Sequence, residues 1–499
     1  MMEYSYLLLI TPSWTAQLLL VAFVLVVGIL LTTHLYTQWR YKKQLQQFSA
    51  ASSSDKVQFV YQPPQVPYTL PLLGNALSFM APKPGLFFSQ LFQTHPRETG
   101  AATLNLGNSS THLLFNPHAV NALFKDRQLS RGSMDRRVIS QCFGLEADEM
   151  ELYYQHLDLM HPLNKEYLLK TERVNELTTH FSRVLADKLA NDAATLPLDQ
   201  EIGLYSWLRD RMFTASTTAL MGSHLLEVYP DLCNDFFDFD REFMSFLFSI
   251  PSFLIRDAHK RRAKILSKLE EWHRAVLAKC PDGKVVDPSG SVEWEPLYGS
   301  RLNRARQQVY AIQGLKFKSR ASLDLGLTFG ISSNAIPATG WILLHLLSPA
   351  GDATLYPRIL AELKTAQKAD ESLDVPTLIM LPLLNSVYHE VLRLYADVLV
   401  IRDVDQNIML PLNEAGTQSV KLSKNSMIMA PSYLGHLDAS AWTAEDAPVE
   451  AFYAERFLTH DAETGTSKFT LNGTSGKVSR NPISPSFLLS SCGLPPTHL

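Results

Sequence analysis

Hydrophobic and polar positions change rhythm several times along this 499-residue chain. From Trp14 to Tyr36 the run WTAQLLLVAFVLVVGILLTTHLY contains no Asp, Glu, Lys or Arg and carries aromatic residues near both edges. A helix of about 20 apolar residues crosses a hydrocarbon core, so the run predicts a membrane-spanning signal anchor over 14–36. A cleaved signal peptide would need a basic stretch before the apolar run, and only Glu3 precedes it. Arg40, Lys42 and Lys43 follow at once, which by the positive-inside rule leaves residues 1–13 as a short lumenal tail and the large C-terminal part in the cytosol. Residues 37–60 are polar and end Ser-rich, the composition of a linker that lifts a domain off a membrane.

Beyond the linker, prolines at 63, 64, 67 and 71 and a glycine at 74 predict a stiff extended segment. ATLNLGNSSTHLLFN, residues 102–116, alternates like a strand hairpin with its turn at Gly107-Asn108. Helical spacing dominates afterwards, in 165–190, 205–222, 259–280 and 301–314, with Leu and Ala on one face and charge on the other. Residues 321–349 are apolar on nearly every side, which predicts a buried helix. Pro337 lacks an amide hydrogen and crowds the Ser333 carbonyl, so a local opening is expected in mid-helix. The other reading of this segment is a second, proline-kinked membrane span, against which stand Asp324 and the central polar cluster. With no internal repeat and no second linker, 61–477 reads as one large domain, mainly α with a small β region.

Composition narrows the function classes. With 46% hydrophobic residues and a net charge of -4, the chain has the makings of a large core and no basic stripe, so nucleic acid is not an expected partner. Cys142, Cys233, Cys280 and Cys492 form no CxxC pair and no dense framework, which suggests neither zinc nor structural disulfides. The sequons at Asn108 and Asn472 would be silent on the cytosolic side.

Candidate chemistry lies in the last third. In LPLLNSVYHEVLRLYADVLVIRDV, residues 381–404, Leu384, Val387, Val391 and Leu394 form one apolar face, and Glu390 and Arg393 are neighbours on the helix surface. E-x-x-R alone says little, since Glu271 and Arg274 repeat it inside a charge-rich helix. Glu390 and Arg393 differ in having apolar surroundings, where an ion pair needs further partners to offset desolvation. A partner is available in HLDASAWTAEDAPVEAFYAERFL, residues 436–458, which ends in Glu455-Arg456-Phe457.

A proline-rich hinge, a kinked central helix, E-x-x-R, then H-x-D and F-x-A-E-R-F, in that order, resemble the membrane-bound cytochrome P450 family of haem-thiolate monooxygenases. The resemblance runs from about residue 61 to about 477 and implies the cytochrome P450 fold preceded by one N-terminal transmembrane helix. It implies haem as cofactor and NADPH supplied through a separate NADPH-cytochrome P450 reductase. It also implies a lipophilic small-molecule substrate, contact with membrane lipid, and a place in the endoplasmic reticulum membrane. Glu390, Arg393 and Arg456 match the family's structural charge triad, and Arg402 matches the position from which an arginine reaches a haem propionate. His436 falls in the family's H-x-D segment, with a surface-loop histidine as the equal alternative. No W-x-x-x-R is found near residues 151–168 for the second propionate contact.

The chain departs from the family pattern twice. Ile336 and Pro337 stand where an acid and a threonine usually relay protons, leaving Asn334 and Thr339 as the polar candidates for the catalytic role. In this the central helix is similar to the branch containing steroid 7α-hydroxylases and prostacyclin synthase, which implies a bulky steroid- or terpenoid-like substrate and either hydroxylation or an isomerase- or dehydratase-type reaction; the style of the sequence suggests a setting in secondary metabolite biosynthesis. The second departure follows Lys477, where the family carries a glycine-rich loop, a cysteine and a helix. Here Cys492 follows Phe-Leu-Leu-Ser-Ser, and residues 478–499 read as an aberrant tail lacking the haem-ligand loop. The expectation is that Cys492 is not the axial ligand, that no metal ligand is assignable, and that the tail arises from a shifted reading frame or a missed splice. A haem-free, membrane-anchored interaction protein is the rival from another class.

Overall fold

The computed structural model describes residues 14–470, apart from 53–58, 81–83, 108, 127–128, 131, 198, 281–284, 370–372, 443–446 and 462–465. Read from sequence as one domain over 61–477, the chain divides into two compact units, because it returns at Asp397–Gly435 to complete a sheet begun before Arg131. The remainder, Gly132–Ala396 with the segment from His436 onward, forms the second, helical unit.

The first unit opens with helix α1, Trp14–Ser52. It is long and apolar enough to cross a membrane, and no other helix among the described residues is, which removes the ground for a second span at 321–349. Residues 37–52, expected as a linker, continue this helix. Thr37, Tyr41, Gln44 and Phe48 recur at helical spacing, and each finds a partner. The Thr37 hydroxyl donates to Tyr68 O at 2.9 Å, and the Tyr41 hydroxyl pairs with His95 Nδ1 at 2.8 Å. The Gln65 amide donates to Gln44 Oε1 at 2.9 Å, and Phe48 meets Tyr61 edge to face. Four anchored positions on one face make this stretch a docked helix rather than a flexible tether.

Two sheets complete the unit. Strands β1 (Phe59–Tyr61), β6 (Ile408–Pro411) and β7 (Gln418–Leu422) make the smaller one in the order β1-β7-β6. The larger joins β2 (Ala101–Leu106), β3 (Ser109–Leu114), β4 (Leu129–Ser130), β5 (Leu399–Val404) and β8 (Met427–Pro431) in the order β2-β3-β8-β5-β4. The expected hairpin is β2-β3, with Leu106 opposite Ser109 and Gly107 at a φ of 67°. That left-handed conformation is what glycine adopts without strain.

The helical unit is built on α2 (Thr171–Thr195), α3 (Leu204–Met221), α4 (Leu232–Leu247), α5 (Arg256–Lys279), α6 (Arg301–Ile312), α7 (Phe317–Ser332), α8 (Ala335–Leu347) and α9 (Pro382–Tyr395). Its main core gathers Phe213, Phe236, Phe239, Trp272 and Leu325. The segment expected as one kinked helix is two, α7 and α8, separated at Ser333 and Asn334. The opening expected from Pro337 thus falls one turn before it, at the point where its ring would crowd a continuing helix. The burial expected all round holds for α7, where Ala321 to Leu325 and Thr328 are buried, but in α8 only Ile336 is.

Candidate functional site

Helix α9 starts where the Glu362 carboxylate accepts from the amides of Leu383 and Leu384, both at 2.8 Å, satisfying two donors of its first turn. Its apolar face, Leu383 and Val387, packs with Leu355, Ile359, Ala454 and Leu458. That packing carries Glu390 and Arg393 into the interior.

There Glu390 sits fully buried between two guanidinium groups. Arg393 donates from Nε to Oε2 at 2.7 Å and from its NH2 group to Oε1 at 2.8 Å. Arg456 donates from Nε to both oxygens at 3.0 and 3.1 Å, and the Tyr453 amide adds a bond to Oε1 at 3.0 Å. One carboxylate faces two cations, so the rest of the satisfaction comes from backbone. Arg393 also donates to the carbonyls of His436 (2.9 Å) and Val449 (2.7 Å). Arg456 donates to those of Pro448 and Ala451, both at 3.0 Å, and to that of Trp442. Burial pushes the Arg456 pKa down and Glu390 works against it. The carbonyls of His436, Trp442, Pro448, Val449 and Ala451 are thereby tied to one helix, which is what a charge triad can do: it fixes the positions of residues that lie outside that helix.

His436, for which a surface loop was the alternative, is 2% exposed. Burial, with the Arg393 charge adding to it, takes its pKa down to about 4 against a weaker backbone contribution from Ala396, so the ring is neutral at pH 7.

The remaining candidates are placed as follows. Asn334 is exposed at the break before α8, and its carbonyl accepts from the Ala338 amide at 3.2 Å. Thr339 returns its hydroxyl to Ala335 O at 2.9 Å. Five positions apart on a helix, the two point roughly 140° from each other, so they do not form one cluster. Arg402 belongs to the other unit, buried on β5 opposite Ile428 of β8, with one guanidinium nitrogen donating to Ile401 O at 2.8 Å and the group 6.0 Å from the Phe124 ring centre.

A polar network that sequence reasoning missed lies between α5, α6 and α7. His273 Nε2 and Asp324 Oδ2 are 2.9 Å apart with both side chains fully buried, and Gln307 Nε2 donates to both Asp324 oxygens at 3.2 and 3.1 Å. Tyr298 closes it, its hydroxyl 3.2 Å from His273 Nδ1. Asp324 registers in sequence only as a charge in an apolar run. Its partners lie 51 and 17 residues earlier, beyond the reach of helical spacing.

A haem-thiolate centre needs a cysteine sulfur that ionises readily. Burial pushes the thiols of Cys142 and Cys233 up to about 12, and Cys280 is half-buried. No group of three or more His, Cys, Asp or Glu residues able to hold a metal occurs among the described residues. Cys492, the sequons at Asn108 and Asn472, and the tail 478–499 lie outside the described residues.

No family model matches the chain. Individual relatives do. Cytochrome P450 monooxygenase efuG of Hormonema carpetanum is 26% identical over 482 residues, covering 90% of this chain and 80% of its own. The monooxygenase fsoE of Humicola fuscoatra is 27% identical, covering 80% and 70%. Cytochrome P450 7A1 of Rattus norvegicus is 25% identical over 290 residues, covering 55% and 52%. Among solved structures, retinoic acid-bound cyanobacterial CYP120A1 has the same fold, with a TM-score of 0.53 at 18% identity, covering 79% of this chain and 82% of that one. The ordered motifs, the buried Glu390 triad, the mainly helical fold with small sheets and these relatives together make the chain similar to the cytochrome P450 monooxygenases in sequence and in fold.

Proposed function

We propose that the lineage of this scaffold oxidises a bulky, lipophilic, steroid- or terpenoid-sized metabolite in secondary metabolism, and that this chain as written is inactive in that reaction because it does not ligate haem iron through Cys492. Similarity to efuG and fsoE, both fungal P450 monooxygenases, supports the oxidation, and similarity to the cholesterol 7-alpha-monooxygenase of Cricetulus griseus supports a steroid-sized substrate. The observation that carries the second half is the local sequence: the Phe-Leu-Leu-Ser-Ser before Cys492 contains no glycine to let backbone approach a sulfur. In the family, haem supplies oxygen activation and a reductase supplies electrons. This chain's own residues contribute the frame: Glu390, Arg393 and Arg456 hold 436–451 against α9, and Arg402 is the cation proposed for a propionate. With Ile336 and Pro337 in place of an acid and an alcohol, Asn334 and Thr339 are the groups left to orient water beside α8.

Helix α1 supports a single-pass anchor in the endoplasmic reticulum membrane with both units cytosolic, where lipid and NADPH-cytochrome P450 reductase would be met. Glycosidase treatment of protein expressed in a eukaryotic cell tests this: unchanged gel mobility is expected, and a shift reverses the topology. Function is tested by the reduced carbon monoxide difference spectrum of the full chain. No thiolate-type Soret band is expected, and a band abolished by Cys492→Ser refutes the second half.

A further inference from the structure

Trp341 and His345 on α8 meet Tyr395 at the end of α9. The indole and phenol rings lie parallel, 3.8 Å between centres with 1° between planes. The Tyr395 hydroxyl is 2.8 Å from His345 Nε2, and the imidazole is itself stacked on Phe452 at 3.8 Å and 7°. Trp341 and Tyr395 are each 38% exposed, so a reagent from solvent can reach the pair. Indole and phenol are the side chains that give up one electron most readily, and a phenol gives it up more readily when a base takes its proton at the same time.

We propose that Trp341, Tyr395 and His345 form a one-electron redox site. An electron leaves Tyr395 through the stacked Trp341 indole to a strong one-electron oxidant, while the phenolic O–H bond breaks and its proton passes to His345 Nε2. The products are a neutral Tyr395 phenoxyl radical, an imidazolium and the oxidant reduced by one electron. A thiolate, as one-electron donor, returns the electron and becomes a thiyl radical, while the proton passes from the His345 imidazolium back to the phenoxyl oxygen.

The surroundings suit each step. Burial lowers the His345 pKa, with Glu390 opposing, so the ring starts neutral and Nε2 accepts the phenolic hydrogen bond. Burial raises that of Tyr395, so at neutral pH the phenol keeps the proton until the electron leaves. The positive charge formed on His345 lies in the last turn of α8, where the helix dipole favours a cation. The Glu390 carboxylate favours it too. None of this depends on haem, so the site stands or falls apart from the function proposed above.

The test is flash-quench oxidation of the full chain in detergent micelles with ruthenium(II) tris-bipyridine and a sacrificial electron acceptor, read by transient absorption and by paramagnetic resonance of freeze-quenched samples. A long-lived phenoxyl signal is expected in the natural chain. Tyr395→Phe, which keeps the stack, should remove most of it. Trp341→Phe should slow its appearance several-fold, and His345→Gln should slow it several-fold and abolish its solvent deuterium isotope effect. An undiminished signal in Tyr395→Phe overturns the proposal, as does an unchanged rate in Trp341→Phe or in His345→Gln. The three variants are read separately, so one that fails to fold leaves the others to decide.

Discussion

Glu390 with Arg393 and Glu271 with Arg274 share one spacing and one helical geometry, and the molecule treats them oppositely. On α5, Glu271 pairs with Lys268 at 2.7 Å and Arg274 with Glu270 at 2.6 Å, so the two residues do not bind each other, and their side chains are 56% and 66% exposed. On α9, Glu390 and Arg393 bind through two hydrogen bonds, at 0% and 2% exposure, and Arg456 arrives from 66 residues away. The difference teaches that spacing only permits a pair. Burial removes the competition of water and of neighbouring charges, and a third residue with backbone carbonyls then makes the pair obligatory.

The strongest way to break this comparison is Glu390→Ala, which leaves two guanidinium groups buried without their carboxylate. It should cost about 3–5 kcal/mol, the range for one-sided removal from a buried pair, read as a lower denaturation midpoint and a lower yield of folded protein. Acid should act next. His436 has a folded pKa of about 4 against an ordinary 6.5, so the unfolded chain binds the extra proton first. Stability from this residue is full above pH 6.5 and falls as pH drops toward 4, by up to about 3 kcal/mol at about 1.4 kcal/mol per pKa unit. His95 and His112, both near 4 through burial, add to the same trend. Denaturant melts at a series of pH values should show that slope, shallower in His436→Gln.

Arg456→Lys keeps the charge but loses the planar fork that reaches Trp442, Pro448 and Ala451. A loss of about 1–3 kcal/mol is expected, with protease cutting in 436–451 as the local readout. Glu362→Ala removes the acceptor for the Leu383 and Leu384 amides and should cost about 1 kcal/mol in the same melts. Glu271→Ala should change stability by no more than about 0.5 kcal/mol. Equal losses at Glu271 and Glu390 would mean that burial is not what separates the two motifs.

How far each element could be read depends on where its partners lie. Glu390, Arg393 and Arg456 were legible because their order along the chain is itself a signal, and the β2-β3 hairpin because its alternation and Gly107 are local. Helix 37–52 was not: its partners Tyr68, His95 and Gln65 are distant in sequence, and its exposed polar face masks the spacing of Thr37, Tyr41 and Phe48. The break at Ser333-Asn334 was displaced from Pro337 because proline constrains the turn before it more than its own. The His273–Asp324–Gln307 cluster needed three helices brought together before any of its members had a role.

Beside the buried Glu390 triad stands the proposal that Cys492 does not ligate haem iron. The reduced carbon monoxide difference spectrum of the full chain, reconstituted with haem and expressed to Thr-His-Leu at its C-terminus, tests it most directly. The account predicts no thiolate-type Soret band in protein that is folded by circular dichroism. A thiolate-type band that is present in this chain and disappears in Cys492→Ser would contradict it.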